Sequence, residues 1–211
     1  LTSNLLAFAR KQPLQPTEID VNDLVEEIAH LLLATFDKQI EITTRLDEKV
    51  WPALVDRGQL SSALLNLAIN ARDAMPDGGK LTIKTANVPA KDSERPQYKG
   101  MPAADYVLIE VADTGIGIPP EIVDKIFEPF FSTKEVGKGT GLGLSTVYGI
   151  VKQTGGFIYV DSVPGGGTTF RIYLPRHRQE QEVAPEVQVG NGAAKEAVAA
   201  EAANPKPDLT G

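Results

Sequence analysis

Two asparagines and an aspartate share one face of a predicted helix and are the first candidates for chemistry. Asn66, Asn70 and Asp73 continue a row that Ser62 begins, while the helix positions between them are almost all apolar. An amide oxygen is a competent hard ligand for Mg²⁺, and buried amides are costly without partners. A metal site is therefore one interpretation, although the row alone fits a water-facing polar helix edge better.

A carboxylate at the end of a predicted strand is the second candidate. Asp113 opens residues 113–119 (DTGIGIP), in which Gly115 and Gly117 allow the backbone to approach a ligand closely. A carboxylate in such a turn can accept a hydrogen bond from an exocyclic amine such as that of adenine. An acidic residue that caps a helix beginning near Pro119 and Pro120 is an equally good interpretation.

A second glycine-rich segment, residues 137–144 (GKGTGLGL), opens a predicted helix. Glycines ahead of a helix leave amide donors and the positive end of the helix dipole for a phosphate group. The segment is not a Walker A loop, because it lacks the terminal Gly-Lys-Ser/Thr, and Leu144 occupies the third glycine position of the Rossmann pattern. The preceding residues 127–134 (FEPFFSTK) fit either a mobile flap or ordinary core packing.

Composition limits the classes of protein to which the chain can belong. The 211 residues are 42% hydrophobic, enough for one core, and the formal net charge of -7 disfavours a protein that binds nucleic acid by neutralising phosphates. The absence of cysteine excludes disulfides and zinc sites built on thiolates. No apolar run approaches the roughly 18 residues that cross a bilayer, so we expect a soluble, cytoplasmic domain.

The elements that must position these residues follow from periodicity. Helices are predicted from about Asp20 to Phe36, from 59 to 75 and from 141 to 153, and strands near 40–44, 81–88, 106–112, 157–162 and 168–174. A mixed sheet with helices on one face results. Residues 1–16 read as the end of a helix and a linker, residues 17–178 as the domain, and residues 179–211 as an acidic disordered linker. We expect a piece of a longer protein.

In their order, these motifs resemble the ATP-binding domain of histidine kinases, within the superfamily that includes gyrase B, Hsp90 and MutL. Residues 66–74 are similar to the N box, 113–118 to the first glycine box, 127–134 to the F box, 137–144 to the second glycine box and 165–168 to a third. The fold that the resemblance implies is a two-layer α/β sandwich. It has a mixed, mostly antiparallel sheet covered on one face by three helices, and a flexible ATP lid from about residue 119 to residue 138.

The resemblance also implies roles for single residues. Asn70 would bind Mg²⁺, with Asn66 as its helper near the phosphates of ATP, and Lys134 would contact the terminal phosphate; these three are the expected catalytic residues. Asp113 would bind the adenine amine, supported by Thr168. The expected nucleotide-binding residues are, in full, Asn66, Asn70, Asp73, Asp113, Gly115, Gly117, Lys134, Gly139, Thr140, Gly141, Leu142, Gly143 and Thr168.

The expected partners lie outside the chain. Residues 1–16 resemble the end of the second helix of a dimerisation bundle, whose first helix would carry the phosphorylated histidine; neither His30 nor His177 fits that motif. We expect transfer to this bundle and then to a response regulator receiver domain, which we also expect on the same parent protein after residue 178. The chain itself is expected to be monomeric and to bind no nucleic acid.

Three other functions fit parts of the pattern. In ATPases of this fold a glutamate one turn before the magnesium asparagine activates water, but Asn66 occupies that position and cannot act as a general base. A serine kinase of the same superfamily is disfavoured by the helix remnant at Leu1. A non-catalytic nucleotide sensor or docking module is disfavoured by the intact set of motifs.

Overall fold

Seven strands and five helices make up the regular structure in the part of the chain that the computed structural model describes, residues 15–93, 100–133 and 141–178. The strands are β1 Thr17–Ile19, β2 Ile40–Arg45, β3 Ala53–Val55, β4 Gly79–Val88, β5 Tyr106–Asp113, β6 Phe157–Val163 and β7 Gly167–Pro175. The helices are α1 Val21–Thr35, α2 Arg57–Asp73, α3 Ala90–Ser93, α4 Pro120–Val123 and α5 Gly143–Gln153. The predictions for residues 1–14 and 179–211 fall outside the described residues.

Five of the strands form one sheet in the order β2-β4-β5-β7-β6. Strands β2 and β4 are parallel, and the other three pairs are antiparallel. The parallel pair requires a crossover, which contains β3 and helix α2. The antiparallel β6–β7 hairpin turns through Gly165, whose φ of 74° suits glycine. The predicted mixed, mostly antiparallel sheet is confirmed.

The main core lies between this sheet and the three long helices. Alternate residues of the central strands are buried on one face, for example Leu81 and Ile83 of β4 and Ile109 and Val111 of β5. They meet the apolar faces of α1, α2 and α5, which bury Leu24, Ile28, Leu32, Leu60, Leu64, Leu67, Val147 and Val151 among others. The two-layer arrangement follows from strands with a period of two and helices with a period near 3.6 that bury matching faces.

The structure differs from the sequence prediction in three places. Strands β1 and β3 form a separate two-stranded sheet that was missed, because three-residue strands are too short to show alternation. Part of the predicted polar loop after β4 is helix α3. The other sheet face also carries a small cluster of Met101, Tyr106, Leu108 and Tyr173, to which the β4–β5 connection contributes.

A buried polar network joins the first helix to the sheet. The Thr85 hydroxyl donates to Asn22 Oδ1 at 2.7 Å and accepts from the Asp47 amide at 3.1 Å, while Asn22 Nδ2 donates to the Asp47 carbonyl at 2.8 Å. Only 2% of Thr85 is exposed. The Thr85 hydroxyl therefore has protein partners in place of the water molecules that would otherwise donate to it and accept from it.

We expect Thr85→Val to lower the free energy of unfolding by about 1–3 kcal/mol, because it leaves the Asn22 oxygen and the Asp47 amide without their partner. Urea denaturation measures the change. Thr82→Val is the matched control, since Thr82 bonds Thr43 at 3.1 Å in a partly exposed position where water can replace it. Equal effects from the two substitutions would contradict the role of the network.

Candidate nucleotide-binding site

Helix α2 carries the asparagine row beside its apolar face. Asp56 caps the helix by accepting from the Gln59 amide at 3.0 Å. Hydrogen bonds from the amides of Gln15 and Gln59 lower the pKa of Asp56. Leu60, Leu64, Leu67 and Ala71 anchor the helix in the core, which leaves Asn66 and Asn70 half-buried on the neighbouring face. The row is therefore not a fully water-facing edge.

The start of helix α5 packs directly against these two amides. A Cβ atom placed on Gly143 would lie 3.7 Å from Asn66 Oδ1 and 3.9 Å from Asn70 Nδ2. Gly143 is the first residue of α5, and Leu142 at the N-cap offers no side-chain cap. The positive end of a three-turn helix thus faces two half-buried amides, an arrangement that suits an anion.

Gly141 turns the chain into this helix in a way that only glycine tolerates. Its φ is 66°, and an added Cβ would lie 2.6 Å from the Phe130 carbonyl carbon. The Gly141 carbonyl accepts from the Phe130 amide at 2.9 Å. The left-handed backbone at Gly141 also explains why α5 begins at Gly143, two residues later than predicted.

Asp113 lies at the end of β5 and is held by one of its two oxygens. Its Oδ1 accepts from the Gly115 amide at 2.8 Å and from the Thr168 amide at 3.2 Å. The carboxylate therefore does not cap helix α4, and that interpretation is wrong. Burial raises the pKa of Asp113, and the two amide hydrogen bonds oppose the shift.

The loop after Asp113 is pressed against two neighbours. A Cβ on Gly115 would meet the Ala74 carbonyl oxygen at 2.5 Å, and the Ile116 amide donates to the same oxygen at 3.0 Å. Gly117 has a φ of 71°, and its Cβ would collide with the Val163 carbonyl. In the described residues both glycines allow a close approach to protein, at the end of helix α2 and at the end of β6, whereas the predicted close approach was to a ligand.

Thr168 supports Asp113 through its backbone rather than its side chain. Its amide donates to the carboxylate, whereas its hydroxyl lies 2.9 Å from the hydroxyl of Ser162. Sequence reasoning did not single out Ser162. The only signal for it is its pairing with Thr168 in the β6–β7 register, which a single sequence does not reveal.

The remaining predicted site residues divide into two groups. Lys134, Gly139 and Thr140 lie outside the described residues, as do residues 134–138 of the expected lid. Asp73 is described, and its Oδ1 accepts from Nε and a terminal nitrogen of Arg72 at 3.1 and 2.9 Å. Asp73 thus continues the asparagine row, but its carboxylate is hydrogen-bonded to Arg72.

The phenylalanines of residues 127–134 behave in two ways. Phe127 and Phe131 pack against the core, with the Phe127 ring 6.3 Å from that of Phe170. Phe130 is 73% exposed and has a φ of 67°. Core packing is therefore correct for two of the three rings.

The two histidines lie far apart in the sequence and on separate elements. His30 is exposed on α1, and His177 follows β7, with its Nε2 3.3 Å from Glu18 Oε2. Across residues 15–93, 100–133 and 141–178, no group of three or more His, Asp or Glu side chains could hold a metal ion. None of the helices described in those ranges is long and apolar enough to span a bilayer.

Comparison with known proteins agrees with this geometry. Residues 55–178 match the family described as histidine kinase-, DNA gyrase B-, and HSP90-like ATPase. The chain is 54% identical to sensor kinase CckA of Brucella abortus over 86% of its own length and 19% of that protein. It is 36% identical to the histidine-protein kinase AtoS of Escherichia coli, covering 83% of the chain and 26% of AtoS.

Solved structures show the same fold. The catalytic domain of histidine kinase ThkA is 29% identical, with a TM-score of 0.61 over 77% of this chain and 96% of that domain. Full-length ShkA in complex with AMPPNP is 27% identical, with a TM-score of 0.66 over 82% of this chain and 35% of ShkA. The chain thus spans only about a fifth to a quarter of the two curated relatives.

The family match covers more than half of the chain and includes the asparagine row, the Asp113 loop and the start of α5. The chain therefore belongs to the histidine kinase-, DNA gyrase B- and HSP90-like ATPase family, as an ATP-binding catalytic domain of the sensor histidine kinase type.

Proposed function

We propose that this chain binds ATP together with Mg²⁺ and, within a longer sensor kinase, transfers the terminal phosphoryl group to a histidine outside residues 1–211. The observation that carries the proposal is the packing of two glycine segments on helix α2: Gly115 on Ala74, and Gly143 on Asn66 and Asn70. Asn66 and Ala74 are eight residues apart, about 12 Å along a helix. A nucleoside triphosphate can span that length.

We assign adenine to the end of helix α2 that lies next to the Asp113 loop. Both described hydrogen bonds to the carboxylate use Oδ1, so Oδ2 can accept from an exocyclic amine. Gly115 and Gly117 let the loop pack on Ala74 and Val163, which would fix its position beside a bound base. AMPPNP, an adenine nucleotide, is bound in the related ShkA structure, which supports the assignment.

The phosphates are assigned to the Asn66 and Asn70 end. Asn70 would hold Mg²⁺ through its amide oxygen, a hard donor that suits this ion, with Asn66 beside it. When bound, Mg²⁺ neutralises phosphate charge and polarises the bond that breaks. Gly141, Leu142 and Gly143 bring the α5 amides to the phosphates. Lys134, Gly139, Thr140 and Asp73 are proposed to act on the same side.

Transfer to a protein is favoured over hydrolysis because no general base stands at the position one helical turn before Asn70. Asn66 stands one helical turn away, and an amide cannot take a proton from water at neutral pH. Catalysis would then consist of holding the acceptor in line with the terminal phosphate. The proposed acceptor is the dimerisation domain of the parent kinase, and the proposed next recipient is a receiver domain.

Asn70→Ala should weaken ATP binding in the presence of Mg²⁺ by roughly tenfold or more, about 1.4 kcal/mol, because a metal ligand is lost. Titration calorimetry with and without Mg²⁺ measures the difference. Ser62→Ala is the control, since its hydroxyl only bonds the Gly58 carbonyl of its own helix at 2.9 Å. An Asn70→Ala chain with the affinity of the unmodified chain would remove the metal assignment.

Asp113→Asn should weaken ATP binding by roughly tenfold while preserving the fold. The side-chain oxygen of the new asparagine can accept from both backbone amides in place of Oδ1. Its NH₂ group, a donor, then faces the adenine amine, which is also a donor. Asp161→Asn, an exposed carboxylate on the other sheet face, serves as the control. Equal ATP affinities for Asp113→Asn and Asp161→Asn would argue against adenine recognition by Asp113.

Asp113→Asn should also change how the free energy of unfolding depends on pH. Because the folded-state pKa of Asp113 is raised, folding favours its protonated form. The resulting stability is present at low pH and is lost as pH rises from the ordinary aspartate range through the raised pKa. We expect the stability of Asp113→Asn relative to the unmodified chain to increase across that window, as thermal melts at several pH values would show; no change with pH would contradict it.

Given ATP and Mg²⁺ alone, the chain should bind nucleotide without becoming phosphorylated on histidine, because its acceptor is absent. Labelled ATP and a test for acid-labile, base-stable phosphate measure this. Adding the separate dimerisation domain of the parent protein should restore slow transfer, since the two parts are not tethered. Label on His30 or His177 of the chain alone would be the contrary result.

A further inference from the structure

One row of side chains crosses three strands at the adenine end of the proposed site. Asp113 of β5 pairs with Thr168 of β7, and Thr168 pairs with Ser162 of β6. The row is continuous in hydrogen bonds: the Thr168 amide reaches Asp113 Oδ1 at 3.2 Å, and the Thr168 and Ser162 hydroxyl oxygens lie 2.9 Å apart. Ser162 is thus coupled to the carboxylate assigned to adenine, although it does not touch it.

Ser162 also holds the far end of the glycine loop. Its Oγ accepts from the Ile118 amide at 2.8 Å and donates to the Gly167 carbonyl at 2.9 Å. The loop between Asp113 and Ile118 contains two glycines and has little stiffness of its own. Ser162 therefore constrains it at both ends, directly at Ile118 and through Thr168 at Asp113.

Counting protons fixes the direction of these bonds. The Gly167 carbonyl can only accept, so the single Ser162 proton must go to it; otherwise two oxygen lone pairs would face each other at 2.9 Å. The Thr168 proton then goes to Ser162. The Ser162 hydroxyl therefore accepts two hydrogen bonds and donates one. Thr168 is only 4% exposed, and its hydroxyl, having donated its proton to Ser162, can only accept further hydrogen bonds.

We propose that Ser162 is a positioning residue for adenine recognition: it orients the loop at residues 113–118 and the Gly167–Thr168 peptide, whose amide donates to Asp113, and through them the Asp113 carboxylate. This inference rests on the proposed function. A residue that only strengthened the β6–β7 hairpin would affect all nucleotides alike. A residue that positions Asp113 affects discrimination at the purine 6-position, where ATP has an amine and inosine triphosphate has an oxygen.

The test compares Ser162→Ala with the unmodified chain for binding of ATP and inosine triphosphate with Mg²⁺, by titration calorimetry. We expect ATP affinity to fall roughly tenfold, about the effect of one to two lost hydrogen bonds, and inosine triphosphate affinity to change much less. The ratio of the two affinities should therefore shrink. Ser162→Thr keeps the hydroxyl and should restore most of the ratio.

Ser93→Ala is the matched control. The Ser93 hydroxyl is 1% exposed, donates to Ala90 at 2.8 Å and accepts from the Ala104 amide at 3.2 Å, in the β4–β5 connection. We expect it to lower the melting temperature as Ser162→Ala does, while leaving the nucleotide ratio unchanged.

The outcomes separate this inference from the proposed function. An unmodified chain that prefers ATP, together with an unchanged ratio in Ser162→Ala, would overturn the role of Ser162 alone. A Ser162→Thr chain that behaves like Ser162→Ala would overturn it as well. An unmodified chain that binds neither nucleotide, or both equally, would overturn the adenine assignment and this inference with it.

Discussion

The close packing of backbone against helix α2 is the constraint on which the site depends. At Gly115 a Cβ atom would collide with Ala74 at the end of the helix, and at Gly143 it would come into van der Waals contact with Asn66 and Asn70. The helix therefore performs two tasks: one face completes the hydrophobic core, and the adjacent face becomes the floor of the proposed nucleotide site. Since interiors are tightly packed, a change on one face is transmitted to the other, and the amides of Asn66 and Asn70 are only as well placed as Leu64 and Leu67 allow.

Asp113 illustrates how such a site opposes stability. A carboxylate at the end of a buried strand loses hydration, and two backbone amides compensate for only part of that loss, as the direction of its pKa shift indicates. An amide side chain could keep both backbone hydrogen bonds without the cost of a buried charge, so the fold alone gives no reason for an acid here. A ligand that donates to Asp113 gives one, because the bound amine then supplies what water no longer can.

Much of the fold was predictable because the long elements carry long patterns. Helix α2 spans 17 residues and β4 spans ten, enough for periodicity to distinguish helix from strand. The candidate site residues could be proposed because Asn66, Asp113 and the glycines follow one another in a recognisable order. Strands β1 and β3 escaped, since three residues show no period.

What could not be predicted depends on contacts between distant residues. Thr168 is 55 residues from the carboxylate it supports, and it does so with an amide that every residue other than proline possesses. Ser162 is visible only once the register of β6 against β7 is known. Similarly, the cap interpretation of Asp113 failed because its Oδ1 accepts from the nearby Gly115 amide and from the distant Thr168 amide, and a sequence reveals only nearby partners.

The small sheet determines how the domain bears a mechanical load. Strand β1 pairs with β3, β3 makes a bridge to Arg176, and Glu18 lies 3.3 Å from His177, so both ends of the described domain meet at one corner. Tension between residues 15 and 178 is therefore borne first by the bonds of this corner, among them the three-residue ladder and the bridge. The Gln15 amide bonds the Asp56 carboxylate that caps helix α2, and Arg176 follows directly on strand β7, so the load also reaches the helix and the large sheet. A pull on the two ends of the described domain would therefore act on the helix that carries Asn66 and Asn70.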